Sequence, residues 1–432
     1  MLIGMKAWIF AVILMLSLFI SFTNPRGESH KGGFTLSFTT TQDFDDDGDD
    51  PLISLRDSDS DSDPDSIPDV AFASYSDAVQ DFDSEKMTAT STASGLVYDF
   101  YRNTCPDAER IVRSSMAQLY SQHKNVSANI LRLFFHDCFI QGCDASVLLD
   151  DSFGNKSQRI EKQAIPNKTL KGFDKVDHIK EELEKVCPGV VSCADILSLA
   201  TRDGIVLAGG PFYPVFTGRK DSVRSYYSEA LAEIPRPDDN ITQTLHLFSL
   251  RGFNERETVS LLGAHNIGKI SCEFIENRLR NFKGTGQADP SIAPDFLKEM
   301  RRNCGNGDST SDVGSPSPMP SKDISESEFG MSYFEQLSSS MSSGSSFDTH
   351  YYRSLLKGRG LLFADQQLMA DEKTARLVRA YASDDGSTFR RDFAWAMLKM
   401  SNLNVLTGTQ GQIRLNCSLP LVQSLLNRSP QH

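Results

Sequence analysis

Arg132 and His136 stand four residues apart in the run Leu131-Arg132-Leu133-Phe134-Phe135-His136-Asp137-Cys138. On a helix that spacing puts a fixed cation and a titratable base on one face, where both can act on one small polar molecule. A lone Arg-x-x-x-His is more often a solvated surface pair, so the residues that follow decide its meaning. Cys138 and Cys143 are close enough to be bridged by a short loop. Asp137, Asp144 and Ser146, with the carbonyls between them, offer the hard oxygen donors that Ca²⁺ prefers. Two aspartates near a turn are ordinarily just hydrated. Crowded with an arginine, a base and two cysteines into one short stretch, they read as a built site.

The elements that must position these residues are helical. Ile111, Val112, Ser115 and Leu119 recur at helical spacing after Cys105, with Pro106 expected in the first turn. A second helix carries Arg132 and His136. A third carries Val176, Ile179, Leu183 and Val186 and stops before Pro188. A fourth runs from about Cys193 through Ile196, Leu197 and Ala200 towards Gly209-Gly210. Asn254 with Glu257 three residues on predicts a capping box, opening a helix that reaches Gly263-Ala264-His265. Further helices are expected over about 371–381 and 389–400. Strand-like alternation is scarce and no repeat is visible, so the body is expected to be mostly α.

The chain has 432 residues and a formal net charge of −13, which is concentrated in one place. Residues 43–85 hold sixteen acidic side chains against Arg56 alone, a balance of −15; residues 1–42 contribute +2, so 86–432 sum to zero. That neutral part lacks the basic excess of a nucleic-acid binder. Residues 25–92 are acidic and Ser-rich. Such a stretch cannot bury enough apolar surface to offset its ordering entropy, so it is expected to be a disordered spacer. Residues 305–346 form a second low-complexity stretch, with Pro316, Pro318 and Pro320, most of it expected to be a mobile surface loop inside the domain. Residues 7–22 are uncharged and mostly apolar behind Lys6, which makes 1–24 a secretory signal, with an uncleaved membrane anchor as the alternative. Residues 93–420 are left as the domain and 421–432 as a tail. The eight cysteines all lie beyond residue 104, and this even number in a chain with an apolar N-terminus favours disulfides in an oxidising compartment. No Cys-x-x-Cys pair supports a zinc ribbon, and spacing alone leaves the disulfide connectivity open.

The motif words now carry a resemblance. Leu131-Arg132-Leu133, Phe135-His136-Asp137-Cys138 and Gly142-Cys143-Asp144-Ala145-Ser146 are followed by Val191-Ser192-Cys193-Ala194-Asp195 and Gly263-Ala264-His265. Ala364-Asp365-Gln366 and Leu406-Thr407-Gly408 complete the series. Over 96–417 the chain resembles the secretory plant haem peroxidases, class III of the plant peroxidase superfamily, with these words in the family's order. The resemblance implies an all-α fold of two helical halves around a b-type haem. It also implies the pairing Cys105–Cys187, Cys138–Cys143, Cys193–Cys417 and Cys272–Cys304.

Carried over residue by residue, the resemblance implies His265 as axial ligand with Asp365 behind it. His136 is implied as the acid/base group, Asn167 as the acceptor that fixes its tautomer, and Arg132 as the stabiliser of developing charge. Phe135 matches the aromatic that keeps bulky substrates off the iron, and Pro235 the aromatic-donor contact. A distal calcium would take Asp137, Asp144 and Ser146 with the Ile140 and Gly142 carbonyls, and Glu161 through water. A proximal calcium would have Asn266, Ser340, Ser343, the Ser346 carbonyl and Asp348.

That second set departs from the family. Asn266 replaces the usual Thr, and serines stand where an Asp and a Thr are expected, so one tightly held calcium is anticipated. The 305–346 stretch is longer than usual, and 167–173 is a residue short. The implied activity is reduction of hydrogen peroxide with oxidation of small phenolic donors, by a secreted monomer in the cell wall that meets a membrane only if its leader is uncleaved. A weakly active or non-catalytic scaffold is the alternative. A thiol hydrolase built on Cys138 and His136 fails, because the implied disulfide removes the nucleophile.

Overall fold

The computed structural model describes residues 94–151, 158–304, 330–332 and 347–421. The expected leader (1–24) and acidic spacer (25–92) lie outside the described residues, as do most of the 305–346 stretch and nearly all of the tail. Among the described residues thirteen α-helices and four strands of two or three residues are found, so the all-α expectation holds.

The first group of helices surrounds the distal residues. It consists of α1 (Ala108–Gln122), α2 (Val126–Cys138), α3 (Phe173–Val186) and α4 (Cys193–Leu207). Helix α4 is the post at the centre. Its residues from Cys193 to Ile205 are all buried, and α1, α2 and α3 all pack against it. Its N-terminus is capped by Ser192, whose hydroxyl accepts the Asp195 N–H at 3.1 Å. Two hydroxyls inside it are satisfied by backbone carbonyls, Ser198 on Ala194 and Thr201 on Leu197, so burying them strands no donor. The helix stops at Gly209, whose positive φ of 79° lets its N–H turn back onto Val206.

Two sequence expectations shift here. Pro106 is not in the first turn of α1, because Asp107 is the N-cap and Ala108 the first helical residue. The preceding turn, in which the Cys105 N–H bonds the Tyr101 carbonyl at 2.8 Å, delays the helix. Val186 holds the expected spacing on α3 but is 57% exposed, being the helix's last residue.

The second group carries the proximal residues: α5 (Glu255–Leu262), α6 (His350–Leu356), α7 (Phe363–Gln366), α8 (Glu372–Ser383) and α9 (Ser387–Ser401). Helix α5 packs against α8 and α9, and α6 packs on α8. The capping box read from Asn254 and Glu257 is present in both directions, at 2.8 and 2.9 Å. The strands are minor. Val97–Tyr98 pairs antiparallel with Phe216–Thr217, and Lys269–Ser271 pairs antiparallel with Gly330–Ser332. The last strand falls inside the stretch read as mostly loop, the rest of which lies outside the described residues. Among the described residues, no helix is long and apolar enough to cross a membrane.

Candidate active site

Helix α2 delivers Arg132, Phe135 and His136 from one side. His136 is buried, with its Nδ1 at 2.6 Å from Asn167 Oδ1. Asn167 ends the short turn Ile165–Asn167, and its Nδ2 donates to the Glu161 carbonyl at 2.9 Å. That second bond tells the amide's oxygen from its nitrogen. His136 must therefore donate from Nδ1, which leaves Nε2 as the unprotonated acceptor. Burial pushes the His136 pKa down to about 3, helped by the Arg132 charge and only partly offset by the Asn167 hydrogen bond. The ring is thus a neutral base over the whole ordinary pH range.

Arg132 is held by the same segment that supplies Asn167. Its guanidinium donates to Thr169 Oγ1 at 3.1 Å, the Thr169 carbonyl at 3.3 Å and the Pro166 carbonyl at 3.1 Å. It is largely enclosed by protein, and this lowers its pKa to about 10, yet the residue keeps a solvent-exposed face. A cation enclosed but still open on one side lines a recess, and at about 10 it stays charged. Phe135 lies beside it, with its ring 5.7 Å from His136, 4.7 Å from Phe139 and 6.0 Å from Phe248. Thr169 and Pro166 were not found from sequence, because a carbonyl acceptor leaves no signature in residue type.

His265 sits in the turn Gly263–Asn266 that continues α5. Gly263 lets this turn pack tightly: a Cβ there would run into the Tyr352 hydroxyl and the Phe389 ring. His265 Nδ1 is 2.7 Å from Asp365 Oδ1. Asp365 is fully buried, whereas the His265 side chain is 39% exposed and its other nitrogen makes no hydrogen bond among the described residues. Burial alone would lower the His265 pKa. The charge and hydrogen bond of Asp365 outweigh it, so the net shift is upward. Burial likewise pushes Asp365 up, but His265, the Leu362 N–H and the Tyr351 hydroxyl together hold it below its usual value. Tyr351, 3.1 Å from Asp365, is a member of the site that sequence reasoning missed; nothing local marks it, since it lies in a helix of otherwise unremarkable pattern. Pro235 is half-buried in the segment leaving the helix Tyr227–Glu233, and the Pro237 carbonyl two residues on accepts the Ala364 N–H at 3.0 Å.

Asp137, Asp144, Ser146 and Glu161 are brought together and buried. Burial raises all three acids, Asp144 to about 6 and Glu161 to about 8, with added repulsion from neighbouring carboxylates: Asp144 and Glu161 at Asp137, Asp144 at Glu161, and Asp221 at Asp144. Among the described residues Ser146 Oγ and Glu161 Oε2 are buried without a well-formed hydrogen bond, although the Ser146 hydroxyl lies close enough to Asp144 and Glu161 to lower both acids. Gly142 closes the loop, with φ +141° and the Leu403 and Asn404 carbonyls where a Cβ would sit. Among the described residues no three His, Cys, Asp or Glu side chains converge as metal ligands; this set instead combines nearby carboxylates with the Ser146 hydroxyl, and the Gly142 carbonyl accepts the Asp144 N–H at 2.9 Å. Strained acids with spare oxygens fit a hard cation.

The second expected set is described only in part. Ser340, Ser343 and Ser346 lie outside the described residues. The Asn266 amide nitrogen donates to the Asp348 carbonyl, while its oxygen accepts the Tyr351 N–H at 3.3 Å. Asp348 Oδ1 accepts from the His350 N–H at 2.8 Å and faces His350 Nδ1 at 2.5 Å. Asn266 and Asp348 thus lie side by side, with Asp348 the one carboxylate of this set.

A family model described as peroxidase matches residues 112–384. The chain is 50% identical over 339 residues to "Putative Peroxidase 48" of Arabidopsis thaliana, covering 76% of this chain and 83% of the relative. It is 36% identical to "Peroxidase 56" (77% and 92% covered) and 37% identical to "Peroxidase 1" (75% and 92%), both from the same plant. The chain belongs to the plant secretory peroxidases. It is a haem peroxidase, a hydrogen-peroxide-dependent oxidoreductase, and the scaffold alternative is not favoured. This family carries haem and calcium in general. The peroxidase has the four expected disulfides, Cys105–Cys187, Cys138–Cys143, Cys193–Cys417 and Cys272–Cys304. Asp195, a motif residue with no assigned chemistry, is structural in this peroxidase: fully buried, it pairs with Arg219 at 2.7 Å and accepts the Tyr101 hydroxyl at 2.6 Å.

Proposed function

We propose that this peroxidase reduces hydrogen peroxide to water and oxidises small phenolic donors one electron at a time, using haem b held by His265. The single observation behind the assignment of roles is that both imidazoles are pinned through Nδ1, His136 to an amide and His265 to a carboxylate, with neither Nε2 hydrogen-bonded among the described residues. When bound, haem supplies the redox chemistry. The chain's own residues move the protons and set the charge. His136 Nε2 takes a proton from one peroxide oxygen and returns it to the departing one, acting as base and then acid. Asn167 keeps the tautomer that makes this possible. Arg132, held by Thr169 and Pro166, offers positive charge where negative charge develops. Asp365 draws the Nδ1 proton of His265 and so makes its Nε2 a stronger donor to metal. Phe135 restricts the recess to small molecules, and Pro235 contributes to the contact with the donor.

One calcium belongs with Asp137, Asp144, Ser146 and the Ile140 and Gly142 carbonyls, with Glu161 acting through water. The domain spans 93–420, behind a spacer and a signal or anchor segment, and works as a monomer outside the cell. The test is optical: purified protein should show a Soret band that shifts on adding hydrogen peroxide, and should turn over a simple phenol. A haem-free protein, or a band indifferent to peroxide, would refute the proposal.

A further inference from the structure

We infer that Tyr351 is a positioning residue for the proximal imidazole, its hydroxyl limiting how strongly Asp365 pulls on His265. The inference rests on the reading of His265 as the haem ligand. Asp365 Oδ1 receives two donors, His265 Nδ1 at 2.7 Å and Tyr351 Oη at 3.1 Å, while Oδ2 receives the Leu362 N–H at 2.8 Å. Hydrogen bonds to a buried charged carboxylate are strong. Two donors on one oxygen share its electron density, so each weakens the other. A carboxylate behind a metal-binding histidine raises the basicity of that ligand. A tyrosine on the same carboxylate oxygen therefore moderates it.

The geometry gives Tyr351 little freedom to leave. Its side chain is fully buried, and its ring stands edge-on to His265 at 6.2 Å and to Tyr352 at 5.0 Å. Its own N–H bonds Asn266 Oδ1, and Asn266 is the residue next to His265. Asn266 is in turn bonded to the Asp348 carbonyl just before α6. A closed circuit results, running from His265 to Asn266 through the chain, to Tyr351 through its backbone, to Asp365 through its hydroxyl, and back to His265. Asn266, the departure from the family's usual threonine, is what supplies an amide oxygen for the Tyr351 N–H.

The experiment uses the haem-loaded protein and its Tyr351→Phe variant. It reads the ferric/ferrous midpoint potential and the iron–imidazole stretching band of the ferrous form. With one donor fewer, Asp365 should draw the His265 proton more strongly, so the potential should fall and the band should move to higher frequency. Site-specific 3-fluorotyrosine at 351 keeps the hydroxyl and the size while strengthening the donor. It should move both readouts the opposite way, and it carries the test even if the phenylalanine variant folds poorly. A residue that only buttresses the carboxylate would, when truncated, loosen it and raise the potential. That result, or no shift in either variant, overturns the inference while leaving the ligand assignment intact. Absence of an iron–imidazole band in the parent protein would instead overturn the assignment of His265, and the inference with it.

Discussion

The Glu161 carbonyl accepts the Asn167 amide at 2.9 Å, so the residue beside the expected calcium directly holds the partner of the distal base. Glu161 also bonds the Tyr226 N–H through Oε1 at 2.9 Å and turns its other oxygen, which has no well-formed hydrogen bond among the described residues, towards Ser146. Removing a cation from this cluster leaves three buried acids repelling one another, and Glu161 is the one that can move Asn167. Chelation should therefore slow the reaction with hydrogen peroxide, and added calcium should restore it. A stopped-flow rate unchanged after metal removal, verified by elemental analysis, would break the link.

His136→Ala should slow the first step with peroxide by about 10²-fold or more, the scale of a lost acid/base group. Asn167→Ala should slow it less, because the base remains but its tautomer is no longer set. Single-turnover rates with peroxide, measured on haem-loaded variants, give the ranking. Equal losses, or rates within a few-fold of the parent, would count against the assigned roles.

The acid limb of activity should lie far below that of free imidazole. His136 has a folded pKa of about 3, lowered first by burial and then by the Arg132 charge. An unfolded chain takes up this proton near pH 6.5, about the value of an unperturbed histidine. The folded state therefore binds fewer protons between about 6.5 and 3, and its stability falls as pH drops through that window. Activity should persist to about pH 4, and denaturant midpoints should decline below about 6.5 by less in His136→Gln than in the parent. A peroxide step titrating near 6.5 would show that the ring is not held neutral.

One calcium per haem should survive dialysis against a mild chelator. At the second position Asn266 and two serines replace the expected threonines and aspartate, leaving Asp348 as its one carboxylate, whereas the first has Asp137 and Asp144, and calcium affinity follows ligand charge. Two retained ions per haem would mean that residues beyond those described rebuild the proximal site.

Gly263→Ala should destabilise the fold by roughly 1–3 kcal/mol, the usual cost of an extra methyl in a filled core. Its Cβ would press on the Tyr352 hydroxyl and Phe389 ring, tilting the turn that carries His265. Thermal unfolding measures the loss, and an unchanged midpoint would mean the core yields at no cost.

Much of the site was legible in residue types and short spacings. Arg132 and His136 are neighbours on one helix, and Asp137, Asp144 and Ser146 lie within a short loop, so local geometry brings them together. The Asn254 and Glu257 cap could be read directly, because capping is a bond between residues three apart. Motif words named His265 and Asp365, although they are a hundred residues apart. What the sequence could not determine depends on contacts between distant main-chain groups. The Thr169 and Pro166 carbonyls that hold Arg132 exist in every residue type, so only the folded path of the chain selects them. The tautomer of His136 likewise follows from a Glu161 carbonyl, and the second donor on Asp365 from a tyrosine on another helix. Local spacing determined which side chains could do chemistry here; long-range packing decided which of their atoms are free to do it.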